Sequence, residues 1–323
     1  MTLTEIRAAA AARLHGVVHH TPLATCATLD RMAGRELIFK CEHLQKVGAF
    51  KYRGASNAVL SLSAADAARG VVTHSSGNHA AALALAARRR GIAAHIVMPH
   101  TASRLKQRAV QEYGGRIVLC EPTQAAREAA AAAVQAETGA VLVPPFDDAA
   151  VIAGQGTAAL ELLSDAPGLD AIIAPIGGGG MISGAALVAK GLDADLAVIA
   201  AEPAGADDAA RAKAAGHFIA QTAPHTIADG LLTSLGTLTW PIVRDLVDAV
   251  VTVSDDEIVA AMRLLWERAK LLVEPSAAVT LAAVLSPAFG TLVTRRPLRR
   301  VGIVLTGGNV DLDALPWTFS AAS

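Results

Sequence analysis

The stretch DAIIAPIGGGGMISGAALVA, residues 170–189, decides the fold. Asp170–Ile176 is a short apolar run without polar alternation, as expected of a strand buried on both faces. Four glycines follow, and Met181–Ala189 then takes up helical spacing. Strand, glycine turn and helix in that order form the repeating unit of a parallel α/β sheet. The same alternation extends outward in both directions. Gly70–His74, Ala94–Met98, Arg116–Cys120, Ala140–Val143, Ala197–Ala201 and Val301–Leu305 read as further strands. Asn78–Arg90, Ser103–Tyr113, Gln124–Thr138, Ala158–Ser164 and Asp255–Leu272 read as helices, as does the amphipathic amino terminus. Ser254-Asp-Asp-Glu257 is a capping box. Gly91, Gly114, Gly139 and Gly191 each follow a helical run, where a left-handed residue ends a helix. The expected architecture is an open, mostly parallel sheet with helices on both faces. The chain shows neither a fixed-period repeat nor a low-complexity linker, so a second domain is expected as an insertion.

Composition narrows the function. A chain of 323 residues suits about two domains of roughly 100–200 residues. Apolar residues make up 53% and charged residues 18%, which excludes intrinsic disorder. The aromatic content of 3% means that the core is built from small aliphatic side chains. A net charge of −1 supplies no basic field for nucleic acid or an anionic membrane. The cysteines, Cys26, Cys41 and Cys120, are scattered, odd in number and never spaced CxxC, which argues against a disulfide scaffold or cysteine zinc site. With no signal-peptide pattern and no membrane-length apolar run, the expectation is a cytoplasmic enzyme.

Three glycine-bearing segments fall where open α/β sheets bind ligands, in loops between strand and helix. In Gly177–Gly180 the backbone N–H groups can curl around an anion at a helix N-terminus, so phosphate is the natural occupant. The segment is not GxGxxG, because Ile182 and Ser183 follow, and no GK[ST] occurs, which disfavours nicotinamide and P-loop readings. Lys51 lies in an apolar stretch beside Phe50; a desolvated lysine loses its charge and becomes an imine-forming nucleophile. Lysine and phosphate cradle together point to pyridoxal phosphate. In Ser75-Ser-Gly-Asn78-His79 the polar groups exceed what helix capping needs, and N–H groups there suit a substrate carboxylate. Thr306 ends the strand Val301–Leu305 and offers a hydroxyl to a ring nitrogen. Glu202 and Asp208 follow Ala197–Ala201 at a spacing that can share a hard cation with a backbone carbonyl. HExxH and GxSxG are absent.

Taken together, Lys40-Cys-Glu42-His-Leu-Gln45, Gly48-Ala-Phe-Lys51-Tyr-Arg-Gly-Ala, Ser75-Ser-Gly-Asn-His, Gly154-Gln-Gly156, the tetraglycine, Ala201-Glu-Pro203, Ile227-Ala-Asp-Gly230 and Thr306-Gly-Gly-Asn-Val-Asp311 resemble fold-type II pyridoxal-phosphate enzymes, in that family's order. The resemblance covers roughly residues 5–315 and is strongest to the serine racemase and serine/threonine dehydratase branch. It implies a tryptophan synthase β-like fold with two parallel-sheet domains: residues 1–69 with 149–323, and a smaller domain at 70–148 that closes over substrate. It further implies that Lys51 carries the cofactor as an imine and acts as base at the substrate Cα. Phe50 would pack on the ring, Asn78 would bind its 3-oxygen, Gly177, Gly178, Gly179, Gly180 and Met181 would hold the phosphate, and Thr306 would face the ring nitrogen. Ser75, Ser76 and His79 match the carboxylate-receiving segment, and Arg127 and Thr233 align near the far end of the substrate. Ser76 matches the second acid–base group of racemases. Glu202, the Ala206 carbonyl and Asp208 match a divalent-cation site for Mg²⁺ or Ca²⁺. Ala49, Ala80 and Thr306 stand where such enzymes carry serine, glycine, and serine or cysteine. The expected activity is an ammonia-lyase, in a homodimer, acting on serine, threonine, threo-3-hydroxyaspartate or a bulkier 3-hydroxy amino acid. Serine racemase with a dehydratase side reaction is the alternative, and a non-catalytic ligand-binding module the rival from another class.

Overall fold

Ten strands form two separate sheets in the computed structural model, which describes residues 2–292 and 294–317. In chain order they are β1 (Leu23–Ala24), β2 (Glu36–Lys40), β3 (Val71–His74), β4 (Ala94–Pro99), β5 (Arg116–Cys120), β6 (Val141–Leu142), β7 (Ala171–Pro175), β8 (Ala197–Pro203), β9 (Ala249–Val253) and β10 (Arg300–Val304). The larger sheet runs β1-β2-β10-β7-β8-β9 and the smaller β5-β4-β3-β6. Every pairing is parallel except β1 with β2. All strands of the small sheet thus come from residues 71–142, between two strands of the large one. Parallel pairing also brings the carboxyl ends of the strands to one edge of each sheet, where such folds bind ligands.

All seven expected strands are present to within two residues. The sequence reading missed β1, β2 and β9. The apolar part of β2 is only Leu37-Ile-Phe39, between charged residues, and β9 is an edge strand with exposed Thr252 in its middle. The helix expected at Ala158 begins nine residues earlier and spans Ala149–Asp165, its first turn capped where Val151 N donates to Asp148 Oδ1 at 2.9 Å. Gly154 and Gly156 look like helix breakers, and packing overrides that propensity. A Cβ on Gly154 would lie 2.7 Å from the Arg53 carbonyl oxygen, and one on Gly184 only 2.6 Å from the Gly156 nitrogen. Three helices, Lys51–Ser61, Ala149–Asp165 and Gly180–Leu192, can approach this closely only without those side chains. The Gly154-Gln-Gly156 motif therefore acts through packing, setting the Lys51 helix against the tetraglycine helix. Gly191 does not end its helix; it lies inside Gly180–Leu192, 2.9 Å in Cβ reach from Leu3. The Asp255 helix is α-helical to Leu264, then forms a π-turn over Leu265–Ala269 that stops at left-handed Lys270. Its capping box is present.

The core is aliphatic and lies on both faces of the large sheet. Leu37, Phe39, Ile173 and Ile199 point into one layer, and Ile38, Ile172, Val198 and Ile182 into the other. Two-sided burial explains the uninterrupted apolar runs. Among the described residues no helix is long and apolar enough to cross a membrane.

Candidate active site

Lys51 sits at the start of its helix, in a segment tied to the loop after β10. Phe50 N donates to Thr306 O at 2.9 Å, Gly308 N donates to Gly48 O at 3.0 Å, and Ala49 bridges Gly307. Asn309 Nδ2 donates to Val47 O at 2.8 Å, across a backbone turn in which Val47 has φ 58°. Behind Lys51, Arg53 is fully buried and doubly bonded to two carboxylates: Nε to Glu42 Oε2 at 2.7 Å and Nη2 to Glu42 Oε1 at 2.8 Å, with Nη1 and Nη2 to Glu161 at 2.6 and 2.7 Å. Buried Lys40 also reaches Glu161, at 2.6 Å. Removing one partner from such a network costs about 3–5 kcal/mol, so it fixes the first turn of the helix against β2 and the Ala149 helix.

The Lys51 ammonium donates to Pro145 O at 2.7 Å and lies 5.1 Å from the Phe50 ring centroid. Burial lowers its pKa to about 8, with Glu274 opposing weakly. Near neutrality a useful fraction is then the free amine, the form that attacks a carbonyl. Burial and the Lys51 charge also lower buried His79 to about 3, so its ring is neutral. His79 Nε2 meets Val143 O at 3.0 Å, and Nδ1 is buried without a partner.

Gly177–Gly180 follows β7 and is fully buried. Gly179 has φ +86°, a left-handed conformation open to glycine, and serves as N-cap of the helix Gly180–Leu192. A Cβ would lie 2.3 Å from the Phe146 ring at Gly178 and 2.9 Å from Leu231 Cα at Gly177. Among the described residues, the amides of Gly177, Gly178, Gly179, Gly180 and Met181 donate to no protein acceptor. Buried amides are nearly always paired, so five unpaired ones in succession at a helix N-terminus fit an anion. Thr306 is buried, and its hydroxyl makes no hydrogen bond among the described residues. Lysine, amide cradle and hydroxyl together fit pyridoxal phosphate.

The remaining expected residues divide. Asn78 and Ser76 do not cap their helix; its N-cap is Gly77, with no side-chain bond. Instead Asn78 Nδ2 donates to Glu274 at 2.9 and 3.2 Å, and its Oδ1 accepts from Asn309 Nδ2 at 2.8 Å. Ser75 Oγ accepts from Gly77 N at 3.4 Å, while Ser76 is half-buried and its hydroxyl has no hydrogen-bond partner among the described residues. Arg127 lies in the first turn of Gln124–Thr138, after β5 and on the same sheet edge as Ser76; its Nε is buried and unpartnered. Thr233 is exposed, and among the described residues no hydrogen bond joins it to the other site residues. Glu202 accepts from Ala209 N and Ala210 N at 2.9 and 2.8 Å. Asp208 accepts from Gln221 Nε2 at 3.2 Å, and its Oδ2 is buried without a partner. Burial raises Glu202 to about 8 and Asp208 to about 6. Among the described residues no group of three His, Cys, Asp or Glu side chains is placed to hold a metal, so any cation here would need the backbone carbonyl as well.

Two residues escaped the sequence reading. Glu274 is buried, with its pKa raised to about 7 by burial against the Asn78 bond, and accepts from Asn309 N at 3.1 Å. Its signal was a lone acid in the apolar run Leu271–Ala278, directly before the helix-opening Pro275. Phe146 walls the tetraglycine; its signal was an aromatic residue, scarce in this chain, directly after Pro144-Pro145.

Comparison with known proteins accords with this chemistry. Residues 14–307 match the family model described as pyridoxal-phosphate dependent enzyme. The chain belongs to that family. It is 54% identical to serine racemase of Arabidopsis thaliana over 310 residues, 96% of this chain and 94% of that protein. It is 51% identical to β-hydroxyaspartate dehydratase of Paracoccus denitrificans over 311 residues, 96% of each. The structure of maize serine racemase superposes with a TM-score of 0.95 at 50% identity, covering 97% of this chain and 94% of that one. This is a fold-type II pyridoxal-phosphate enzyme of the serine racemase/dehydratase family.

Proposed function

We propose that this enzyme is an ammonia-lyase that takes a β-hydroxy amino acid to its 2-oxo acid and ammonia, using Lys51 as the base at Cα. When bound, pyridoxal phosphate supplies an electron sink for the bond broken at Cα. Gly177–Met181 would hold its phosphate through the five free amides, Phe50 would lie against its ring, and Thr306 would offer a hydroxyl to the ring nitrogen. Asn78, held on one side by Glu274 and on the other by Asn309, would present its amide to the ring 3-oxygen. Ser75, Ser76 and His79 would receive the substrate carboxylate. The small-sheet segment 70–148, working as a closing domain, would exclude water from the site.

The observation that carries the choice between elimination and racemisation is the inequality of the two acid–base groups. Lys51 is tuned to about 8, whereas the half-buried Ser76 hydroxyl makes no hydrogen bond to a base among the described residues. A hydroxyl without an adjacent base is a poor proton exchanger. Chemistry on the lysine face, removal of the Cα proton with loss of the β-hydroxyl as water, then outruns proton return from the serine face. The released unsaturated amine takes up water to give the 2-oxo acid and ammonia. Ser76 keeps racemisation as a slower second activity.

Arg127 supports a substrate with an acidic far end, such as threo-3-hydroxyaspartate, because a carboxylate would satisfy its buried Nε. Thr233 would enter only if its loop moves inward. Asp208 Oδ2, Glu202 and the Ala206 carbonyl would hold Mg²⁺ or Ca²⁺, keeping both burial-perturbed carboxylates ionised. A homodimer in the cytoplasm completes the reading.

The test is a panel of serine, threonine and threo-3-hydroxyaspartate, assayed for 2-oxo acid and product chirality, with Mg²⁺ and with chelator. Faster 2-oxo acid release than racemisation, greatest with hydroxyaspartate and reduced by chelator, is expected. D-serine accumulating faster than pyruvate from L-serine overturns the lyase reading.

A further inference from the structure

Between β6 and the helix Ala149–Asp165 the chain passes from the small sheet to the large one, and three consecutive residues of this joint touch three parts of the site. Pro145 O accepts from the Lys51 ammonium at 2.7 Å. The Phe146 ring stands where a Cβ on Gly178 would have to go. Asp147 reaches the turn at residues 236–238, 90 positions further along the chain. Its Oδ2 accepts from Thr237 N and Thr237 Oγ1, both at 2.9 Å, and its Oδ1 from Leu238 N at 2.8 Å and Thr239 N at 3.2 Å. The helix Thr239–Leu246 begins there, and its own N-cap, Leu238, offers no side-chain bond. Asp147 caps it from a distance, meeting orphan N–H groups and the positive end of the helix. The approach is close: a Cβ on Gly236 would lie 2.1 Å from Asp147 Cγ.

The capped turn leads into Thr239, which is fully buried and links it to the tetraglycine. The Thr239 hydroxyl accepts from Gly236 N at 2.7 Å and donates to Gly178 O at 2.9 Å. A hydroxyl has a single proton, and the Gly236 carbonyl, at 3.5 Å, is a much poorer acceptor for it. Every described peptide bond is trans, and across a trans peptide the carbonyl and the following N–H point in opposite directions. Drawing Gly178 O toward Thr239 therefore turns the Gly179 N–H to the other side of the loop, where among the described residues it meets no protein acceptor. The same segment blocks Gly179 from behind: a Cβ there would lie 2.6 Å from Leu235 and 2.9 Å from Thr239.

We propose that Asp147 and Thr239 are positioning residues for the cofactor phosphate: Asp147 fixes the turn, the turn fixes Thr239, and Thr239 aims the Gly179 amide. The inference rests on the reading of Gly177–Met181 as the phosphate holder. It accounts for how a run of glycines, the loosest backbone a chain can have, serves as a rigid holder: its carbonyl side is bonded as well as walled. It also makes the joint between the two sheets part of the holder. Phe146 and Asp147 act on the glycine loop from adjacent positions, and Pro145 holds the amine, so a shift of this segment is felt at the lysine and at the cradle together.

The experiment is a double-mutant cycle on the dissociation constant of pyridoxal phosphate, measured by equilibrium dialysis, with the phosphorus NMR resonance of the bound phosphate as a second readout. Thr239→Val and Asp147→Ala are each expected to weaken binding about tenfold and to shift or broaden that resonance. Because the two residues act in series, the double variant should lose little more than either single one. Thr239→Ser keeps the hydroxyl and should bind like the parent. Asp147→Asn keeps an acceptor for Leu238 N and Thr239 N, should fall between the parent and Asp147→Ala, and replaces the latter in the cycle if circular dichroism shows that Asp147→Ala does not fold. Losses that multiply in the double variant, or parent-like affinity and resonance in Thr239→Val, overturn the proposal. A parent protein with no bound-phosphate resonance overturns the cradle reading beneath it, a failure that the variants are not needed to see.

Discussion

The two glycine loops of the site, one on each sheet, are built on opposite principles. Gly177–Gly180 is walled in: a methyl group at Gly178 would meet the Phe146 ring at 2.3 Å, and one at Gly179 the Leu235 side chain at 2.6 Å. Ser75–Gly77 is open: a methyl group at Gly77 would meet nothing within 4 Å, and its serines are half-buried and sparsely bonded. A phosphate holder works by fixed amides and gains from rigidity, whereas a loop that receives and releases substrate needs slack. On the proposed assignment of these loops, packing fixes the cofactor side and leaves the substrate side to adapt.

The sharpest way to break this comparison is to add the same methyl group to both loops. Gly178→Ala should lose cofactor at concentrations where the parent keeps it and drop activity by about 10²-fold, since a displacement near 1 Å costs that much. Gly77→Ala should retain the cofactor, with its effect confined to KM. Comparable cofactor loss in both, measured by absorption after dialysis, would erase the distinction. A smaller effect is expected from Ser76→Ala: racemisation should fall about tenfold or more while 2-oxo acid release changes by less than about threefold. Equal losses would mean that Ser76 positions substrate and does not exchange the proton.

The smallest effect concerns pH. An ordinary lysine titrates near 10.4, so at pH 7 about one amine in 2,500 is neutral; at a pKa of about 8 the fraction is about one in ten. The rate at which cofactor-free protein takes up pyridoxal phosphate should rise to a plateau above about pH 8. A rate still climbing near pH 10 would show that the amine is solvated. The linkage has a definite sign: the unfolded chain holds this proton more tightly, so the cofactor-free fold gains stability as pH rises from about 8 toward about 10.4 and loses it on the way back.

Much of this was legible in the sequence, for physical reasons. Strands buried on both faces print as continuous apolar runs, and the glycine quartet declares itself because no other residue fits against Phe146 and Leu231. β2 and β9 were illegible because a three-residue apolar core and a half-exposed edge strand carry little periodic signal. The Ala149 helix was misjudged because Gly154 and Gly156 act through a helix–helix approach that only the tertiary structure creates. Within the site, Lys51 and the tetraglycine could be read from local context. Glu274 could not, because its role depends on Asn78, 196 residues away in the chain. Arg127 and Thr233 show the same limit: a residue type can be matched, but whether its side chain is buried and waiting or out in solvent is decided by neighbours far away in sequence.

The central claim is that one amine, on Lys51, carries the cofactor. The direct measurement is borohydride reduction of the holoenzyme followed by peptide mapping. The account predicts loss of the visible absorption band, together with a phosphopyridoxyl group on the peptide holding Lys51 and none in Lys51→Ala. A label on Lys40, Lys46 or another lysine, with Lys51 unmodified, would contradict it.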